Sequence, residues 1–97
     1  MKYEVVFTDS AEADLDEMEQ YLAARFSDRN AKRYIDRIIK FCLSLGAVPY
    51  CGTAREYIRP GLRTVGFERK ATILFEIDGQ RVVIEGVLFG GRQPELR

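Results

Sequence analysis

Arginine is the residue type with the clearest chemistry in this sequence, which has no histidine and only two cysteines. Arg55, Arg59 and Arg63 recur every four residues, as on one face of a helix, but Pro60-Gly61 interrupts them and excludes a helix there. The Pro-Gly pair instead fits a type II turn, in which glycine supplies the positive φ. Guanidinium groups bind phosphates and carboxylates in bidentate contacts, so these arginines indicate either a binding surface or pairing with the chain's own carboxylates.

The strand that follows this turn determines which residues lie beside the arginines. Alternation along "LRTVGF" places Arg63, Val65 and Phe67 on one face of the strand. Leu62, Thr64 and Gly66 lie on the other face. Arg59 and Arg63 would lie on either side of the start of this strand, with the ring of Phe67 near Arg63. An arginine beside an aromatic ring suits phosphate, RNA or a protein hot spot.

Catalytic and metal chemistry have little support in the sequence. Cys42 and Cys51 lie nine residues apart, which does not match zinc-ligand spacings, and the carboxylates gather on one exposed helix. "FGGRQPE" at 89–95 follows a strand and opens no helix, so it is not a phosphate loop. We expect no catalytic residue, metal, cofactor or membrane contact. Because no export signal precedes the first acidic residues, we also expect a cytoplasmic protein with reduced thiols.

The net charge is zero, but the charges are unevenly distributed along the chain. Residues 1–28 carry two basic and eight acidic side chains, a net charge of −6, whereas residues 29–70 carry ten basic and three acidic side chains, a net charge of +7. This asymmetry predicts an acidic and a basic face, each able to serve as a partner surface. The alternative is that both are ordinary solvated helix faces.

Two amphipathic helices follow a short N-terminal strand, "YEVVF". The first helix, in "TDSAEADLDEMEQYLAARF", begins with N-cap residues and has an apolar stripe at steps of three and four: Ala11, Leu15, Met18, Leu22 and Phe26. The second, in "SDRNAKRYIDRIIKFCLSLG", is capped by Ser27 or Asp28, ends at Gly46 and has its own stripe: Ala31, Ile35, Ile38, Cys42 and Leu45. The short loop between them predicts an antiparallel hairpin.

After a loop over residues 46–61, the hydrophobic period becomes two. "LRTVGF", "ATILFEI" and "RVVIEGVLF" are typical of three antiparallel strands joined at Glu68-Arg69-Lys70 and at Asp78-Gly79. The third strand is apolar on both faces, with Val83, Glu85, Val87 and Phe89 on one and Val82, Ile84 and Leu88 on the other. A strand with two apolar faces belongs inside a sheet.

We therefore expect a single α+β domain over residues 1–97, in the order β-α-α-β-β-β. The N-terminal strand is followed by an antiparallel helical hairpin, which packs on a sheet completed by a three-stranded antiparallel meander. The other face of the sheet should be exposed or covered by another chain.

Three stretches resemble the ParE branch of the RelE/ParE superfamily, the toxins of bacterial type II toxin–antitoxin systems. They are "AEADL" at 11–15, "RPGLR" at 59–63 and the last strand ending in "GR" at 91–92, and the likeness extends over nearly the whole chain. The element order above matches the RelE/ParE-like fold that the resemblance implies. ParE-like members inhibit DNA gyrase by binding, whereas RelE-like members cleave mRNA on the ribosome.

The residues favour the ParE-like activity. RNA cleavage needs a base, an acid and a cation for the pentavalent phosphate. Thr72 stands where RelE-like members have an arginine, no tyrosine follows Tyr57, and Arg92 alone matches a nuclease-family position. The resemblance thus implies a non-enzymatic gyrase inhibitor. The alternatives are a RelE-like ribosome-dependent mRNA endoribonuclease and a non-toxic module that binds only its antitoxin.

The resemblance also implies partners and contact residues. A cognate, ParD-like antitoxin would neutralise the toxin in a hetero-oligomer, and DNA would be contacted only through the antitoxin. Apolar anchors of the antitoxin would lie by the helical hairpin, at Leu15, Met18, Leu22, Tyr34 and Ile38, unless these residues simply form the core. The candidates for binding gyrase are Arg59, Arg63, Phe67, Arg69 and Arg92.

Overall fold

The computed structural model describes residues 2–90, in which two helices pack on a five-stranded sheet. The elements are β1 (Glu4–Phe7), α1 (Asp9–Arg25), α2 (Asp28–Ser44), β2 (Thr53–Ala54), β3 (Arg63–Phe67), β4 (Ala71–Asp78) and β5 (Arg81–Phe89). The strand order is β1-β5-β4-β3-β2, with β1 parallel to β5 and every other pair antiparallel. The predicted α+β architecture is confirmed. The two-residue β2 is an addition, since it lies in a segment predicted as loop.

Both helices begin at the predicted capping residues. The hydroxyl of Thr8 accepts a hydrogen bond from the amide of Ala11 at 3.1 Å, and the hydroxyl of Ser27 accepts one from the amide of Asn30 at 3.0 Å. Each bond satisfies one of the four amides that the first turn of a helix leaves unpaired. The two caps therefore determine where α1 and α2 begin.

Gly46 is required by a close approach between the end of the helical hairpin and the start of β1. The amide of Tyr3 donates to the carbonyl of Gly46 at 2.8 Å. A Cβ on residue 46 would lie 2.5 Å from the carbonyl oxygen of Tyr3, closer than any side chain tolerates. Its φ is not positive, so the glycine is there for space rather than for a left-handed cap.

The main core lies between the helical hairpin and one face of the sheet. Its fully buried members from the two layers include Ala11, Ala31, Ile38, Cys42, Ile73, Phe75, Val82 and Ile84. The apolar stripes of both helices supply one side, as their spacing predicted. Each isoleucine or phenylalanine removed from water here contributes about 1.5–3 kcal/mol.

A smaller cluster lies on the opposite face of the sheet. Leu62, Leu74 and Leu88 are buried there, and Ile58 packs on them from the loop before β3. The expectation that this face is exposed or covered only by another chain is therefore wrong for its central part. The chain's own loop over residues 55–62 folds back across it, held by hydrogen bonds between Arg55 and Leu62 and between Arg59 and Leu62.

A β-bulge in β5 changes which of its residues face the helices. Leu74 pairs with Gly86 and the next residue, Phe75, pairs with Ile84, so Glu85 is the extra residue of the bulge in the register between β4 and β5. Val82, Ile84 and Val87 consequently share the main core, while Leu88 belongs to the opposite cluster. The predicted alternation through residues 82–89 is wrong, because the bulge adds one residue to a period of two. The predicted interior position of this strand is confirmed, and the structure shows that its neighbours are β1 and β4.

The β4–β5 connection is one residue later than predicted. Asp78 pairs with Arg81, which leaves Gly79 and Gln80 as the two loop residues. Gly79 has a φ of +63° and is the only one of the two with positive φ, as in a type II′ hairpin turn. The aspartate therefore closes the ladder rather than entering the turn.

Candidate functional site

The Pro60-Gly61 pair forms the predicted type II turn. Gly61 has a φ of +82°, and the amide of Leu62 donates to the carbonyl of Arg59 at 3.2 Å across the turn. The turn delivers the chain into β3, as expected. It does not, however, bring the neighbouring arginines together.

Arg59 extends over the sheet face opposite the helices. Its guanidinium group pairs with the carboxylate of Glu85 at the β5 bulge and lies 4.0 Å from that of Glu76 on β4. About half of the Arg59 side chain is exposed, but two carboxylates from its own chain already occupy the charged end. The group therefore anchors the loop over residues 55–62 to the sheet.

Arg63 shares a face of β3 with Val65 and Phe67, as strand alternation predicted, and in the structure this face is turned towards the helices. Its guanidinium group donates to the carbonyl of Tyr50 at 2.6 Å and to that of Cys51 at 3.1 Å, and it lies 5.7 Å from the centre of the Tyr50 ring. These contacts fasten the segment after α2 to the sheet. Arg59 and Arg63 thus serve the fold on opposite faces.

Phe67 shares the face of Arg63 but packs into an aromatic cluster. Its ring centre lies 5.8 Å from that of Tyr34 and 5.1 Å from that of Phe41, and the residue is half-buried against the main core. Tyr34 in turn meets Phe89 at 6.0 Å with nearly perpendicular rings. Such tilted pairs are favourable beyond the area they bury. The cluster joins α2 to the ends of β3 and β5.

A groove opens beside this aromatic cluster. We call it the basic groove: it has a volume of about 640 Å³ and is lined by Tyr21, Leu22, Arg25, Phe26, Asn30, Arg33, Tyr34, Arg37, Arg69, Lys70, Phe89 and Gly90. The walls are the end of α1, the first half of α2, the β3–β4 turn and the end of β5. A hydrogen bond of 3.1 Å from the amide of Gly90 to the carbonyl of Lys70 holds the last two walls together.

The β3–β4 turn carries unusual backbone strain. Glu68 and Arg69 have φ values of +50° and +60°, and the amide of Lys70 donates to the carbonyl of Phe67 at 3.1 Å. This is the geometry of a type I′ turn, which normally uses asparagine and glycine. Left-handed backbone costs a residue with a Cβ about 1–2 kcal/mol. The sequence therefore places a charged side chain at Arg69 where glycine would be more stable.

An ion pair offsets part of this strain. The carboxylate of Glu68 accepts hydrogen bonds from two nitrogens of Arg37, at 2.9 and 3.0 Å. These bonds hold the pKa of Glu68 below its usual value and raise that of Arg37, against a smaller opposing effect of burial in each case. Arg37 also lies 5.1 Å from the centre of the Tyr34 ring. The pair ties the turn to α2 across the groove.

Three cations of the basic groove have no such partner. Within residues 2–90, the side chains of Arg33, Arg69 and Lys70 make neither a hydrogen bond nor an ion pair. Arg25 stacks on the Tyr21 ring at 4.8 Å, which leaves its charge uncompensated as well. The groove is therefore a concentration of positive charge over an apolar floor, and it favours an anion.

Tyr34, one of the residues that line this groove, carries a buried polar atom. The residue is 8% exposed, and its hydroxyl has no hydrogen-bond partner in the part of the chain that the structure describes. Burial raises the pKa of Tyr34, the negative charge of Glu68 adds to that effect, and the positive charge of Arg37 opposes it. The hydroxyl thus keeps its proton at neutral pH and can donate it in a hydrogen bond.

The five residues predicted to contact an antitoxin all lie in the main core: Leu15, Met18, Leu22, Tyr34 and Ile38. Only Leu22 and Tyr34 also line the basic groove. The large apolar side chains that the hairpin exposes are instead Tyr21 at 47%, Phe26 at 68% and Leu43 at 52%. Sequence reasoning assigned Phe26 to the apolar stripe, but it follows the last residue of α1 and turns outward.

The groove could have been anticipated only in part from the sequence. Tyr21 with Arg25 and Arg33 with Arg37 each lie four residues apart, a spacing that stacks side chains on one helix face. That signal indicates two basic ridges. It does not show that the β3–β4 turn closes the space between them, because this depends on packing between distant elements.

Within residues 2–90, no group of three histidine, cysteine, aspartate or glutamate side chains is arranged to hold a metal ion. Neither of the two described helices combines the length and the apolar character needed to cross a membrane.

Comparison with known proteins places the chain in a family. A family model described as the ParE toxin of the type II toxin–antitoxin system, parDE, matches residues 5–94. This chain belongs to the ParE toxin family. The resemblance inferred from "AEADL", "RPGLR" and the last strand is therefore confirmed. No curated protein sequence gives a significant match.

Two solved structures share the fold of this ParE-family toxin. The chromosomal ParDE toxin–antitoxin system from P. aeruginosa aligns with a TM-score of 0.81 at 23% identity, over 92% of this chain and 97% of that chain. The RelBE2 toxin–antitoxin complex from Mycobacterium tuberculosis aligns with a TM-score of 0.67 at 22% identity, over 92% of this chain and 99% of that chain. Both confirm the RelE/ParE-like α+β fold.

The gyrase-binding candidates differ in their surroundings. Arg59 and Arg63 are bound to their own chain on opposite faces of the sheet, and Phe67 is half-buried in the aromatic cluster. Arg69 projects from the strained turn at the rim of the basic groove. Arg92 lies outside the described residues.

Proposed function

We propose that this ParE-family protein is a cytoplasmic toxin that inhibits DNA gyrase by binding it, without catalysis, and that a cognate ParD-like antitoxin neutralises it in a hetero-oligomer. The observation that supports binding is the chemistry of the basic groove. Its unpaired cations have no histidine beside them, Glu68 is held ionised by Arg37, and Tyr34 holds its proton. An RNA-cleaving site needs an acid and a base that exchange protons near neutral pH. Because these side chains do not do so, they support binding rather than cleavage.

The target contact follows from which cations are available. Among the gyrase-binding candidates in the described residues, Arg69 has a side chain without a hydrogen bond or ion pair. Lys70 next to it is free in the same sense. We propose that these two side chains contact the target, while Arg59, Arg63 and Phe67 stabilise the fold around them. DNA is contacted only through the antitoxin when the two proteins regulate their own genes.

The test is a supercoiling assay with purified gyrase, run beside a cell-free translation assay that monitors mRNA. We expect the toxin to stop supercoiling and to leave mRNA intact. Arg69→Gln with Lys70→Gln should weaken inhibition by tenfold or more, the scale of a binding hot spot of about 1.4 kcal/mol or more. Lys40→Gln, an exposed charge on α2, is the matched control and should inhibit like wild type. Cleaved mRNA with unaffected supercoiling would replace this proposal with the endoribonuclease.

The antitoxin contact is proposed at the exposed end of the hairpin rather than at the core residues. Phe26 and Tyr21 offer exposed rings there, which suits the apolar anchors of a partner segment. Phe26→Asp should abolish co-purification with the co-expressed antitoxin. Leu43→Asp places the same charge on a comparably exposed residue near the other end of α2 and should leave the complex intact. Equal losses in both variants would contradict this location.

A further inference from the structure

The basic groove holds cations that the fold does not use. Four other basic side chains of residues 2–90 form ion pairs: Lys32 with Glu19, Arg37 with Glu68, Arg59 with Glu85 and Arg81 with Asp78. Lys2, Arg29 and Lys40 form none, but they stand apart from one another in the sequence and do not line the groove. Arg33, Arg69 and Lys70 have none, although they come from a helix and a turn that face each other across the groove. Guanidinium forks and an ammonium group arranged in this way suit the oxygens of a phosphate.

The buried hydroxyl of Tyr34 is an independent sign of a ligand. Tyr34 is one of the residues that line the same groove, it is 8% exposed, and no described residue bonds its hydroxyl. Buried polar side-chain atoms are satisfied in the large majority of cases, so an unsatisfied one calls for an explanation. Because the pKa of Tyr34 is raised, the hydroxyl remains a donor and a phosphate oxygen would satisfy it.

The groove is too large and too aromatic for a phosphate alone. Its volume of about 640 Å³ falls in the range of sites for organic ligands, which combine apolar walls with a few convergent polar groups. The rings of Phe26 and Tyr21 are 68% and 47% exposed at its rim. A nucleobase has a flat π face that stacks on such rings whatever its sequence. The combination of cations and exposed rings matches a phosphate joined to a base.

The charge next to the groove distinguishes between possible anions. Asp14 and Glu17 line the adjoining depression, which shares Tyr21, Phe89 and Gly90 with the basic groove. The charge of the surface therefore reverses at these shared residues. A long polyanion or an acidic peptide segment continuing in that direction would meet like charge, whereas a compact anion would not.

We propose that the basic groove is a binding site for a nucleoside phosphate, with the phosphate held by Arg33, Lys70 and the Tyr34 hydroxyl and the base against Phe26. The ligand is either a free nucleotide or the phosphorylated end of a nucleic-acid strand, since both present the same chemistry. The site shares Lys70 with the proposed gyrase contact and Phe26 with the proposed antitoxin contact, but it is tested by ligand binding to the toxin alone.

Titration of the purified full chain, followed by amide NMR shifts and calorimetry, tests the site. The probes are ADP, inorganic pyrophosphate, adenosine, a single-stranded pentanucleotide with a 5′-phosphate and a pentapeptide of four glutamates around one phenylalanine. We expect ADP to shift the amides of residues 33, 34, 69 and 70 and to bind at least tenfold more tightly than pyrophosphate or adenosine. Tighter binding of the pentanucleotide would identify a strand end as the source, and tighter binding of ADP a free nucleotide.

Three variants test which side chains bind the nucleotide. Tyr34→Phe removes only the unsatisfied hydroxyl, so ADP affinity should fall about tenfold, as for a hydrogen bond to a charged group, with no drop in melting temperature. Lys70→Gln should weaken ADP binding and flatten its dependence on salt. Lys40→Gln removes an equal charge from α2 outside the groove and should change neither.

Three results would overturn the proposal. If ADP binds no more tightly than pyrophosphate, the base does not contribute to binding and the site does not recognise a nucleoside. Affinity unchanged in Tyr34→Phe and Lys70→Gln would move binding elsewhere. Preferential binding of the acidic peptide, sensitive to the same two variants, would make the groove a peptide site instead. None of these results bears on whether the toxin inhibits supercoiling, so the two proposals fail separately.

Discussion

The arginines at the Pro60-Gly61 turn and the cations of the basic groove are chemically alike but are used differently. At the turn, Arg59 bonds the carboxylate of Glu85 and Arg63 bonds the carbonyls of residues 50 and 51. In the groove, the side chains of Arg33 and Lys70 make no hydrogen bond and no ion pair within residues 2–90. A conspicuous motif therefore does not by itself make a charge available for binding. Availability depends on what the folded chain places around it.

The strongest test of this difference is the loss of stability when each kind of arginine is truncated. Arg63→Ala removes hydrogen bonds to two carbonyls and the contact with the Tyr50 ring, so the free energy of unfolding should fall by about 2–3 kcal/mol. Urea denaturation measures it. Arg69→Ala is the comparison from the groove and should stay within about 0.5 kcal/mol of wild type, as for a surface residue. Equal losses would erase the distinction between the two regions.

The Pro60-Gly61 turn itself should be nearly as sensitive. Gly61 has a φ of +82°, and a Cβ there would meet no atom within 4 Å, so Gly61→Ala adds backbone strain without a clash. The expected destabilisation is about 1–2 kcal/mol. Gly66→Ala is a matched control, because residue 66 also has open space around it but its φ is not positive. Thermal melting of the two variants should therefore differ clearly, and equal melting temperatures would contradict the strained-turn account.

The β3–β4 turn should respond in the opposite sense. Arg69→Gly relieves a left-handed backbone that costs about 1–2 kcal/mol, less the greater freedom of glycine in the unfolded chain, so a net gain of about 0.5–1 kcal/mol is expected. The same change removes a cation and should weaken gyrase inhibition. A variant that melts higher yet inhibits less would show that this position is kept for binding. Lower stability would contradict the reading of the turn as strained.

The smallest expected effect is the pH dependence contributed by Glu68. Its pKa is lowered in the folded state, mainly by the hydrogen bonds from Arg37, so its stabilising contribution is present above the ordinary glutamate value of about 4.3 and is lost as pH falls through the folded value. The stability difference between wild type and Glu68→Gln should be constant near neutral pH and should shrink below about pH 4.3. Arg37→Gln should remove the same dependence, and the double variant should add nothing further.

Local signals in the sequence predicted the parts of the fold that depend on neighbouring residues. Thr8 and Ser27 cap the helices because their hydroxyls reach amides three residues on. Pro60-Gly61 adopts a type II turn because proline and glycine each prefer the required φ. Alternation placed Arg63 and Phe67 on one face of β3, and the family resemblance was carried by short motifs that the family model bears out.

Long-range placement explains what the sequence could not supply. The bulge at Glu85 inverts the faces of residues after it, and it is visible only in the pairing with Leu74 and Phe75. The partner of Arg59 lies 26 residues away on β5, so its neutralisation has no local sign. The basic groove is assembled from four separate elements. In the sequence, its apolar residues are indistinguishable from core, and its cations on α2 are indistinguishable from a solvated helix face. Only the packing of the β3–β4 turn opposite α2 brings them together.

The pairing of β1 with β5 has a consequence for synthesis of the chain. The hydroxyl of Thr8 bonds the carbonyl of Glu85, a residue 77 positions later, and β1 can join the sheet only once residues 81–84 are available. The helical hairpin is local and can form early, whereas at about 5–20 residues per second the first strand waits several seconds for its partner on the ribosome. Because Phe89 and Gly90 also complete the basic groove, a nascent toxin has no finished binding surface until translation has passed residue 90.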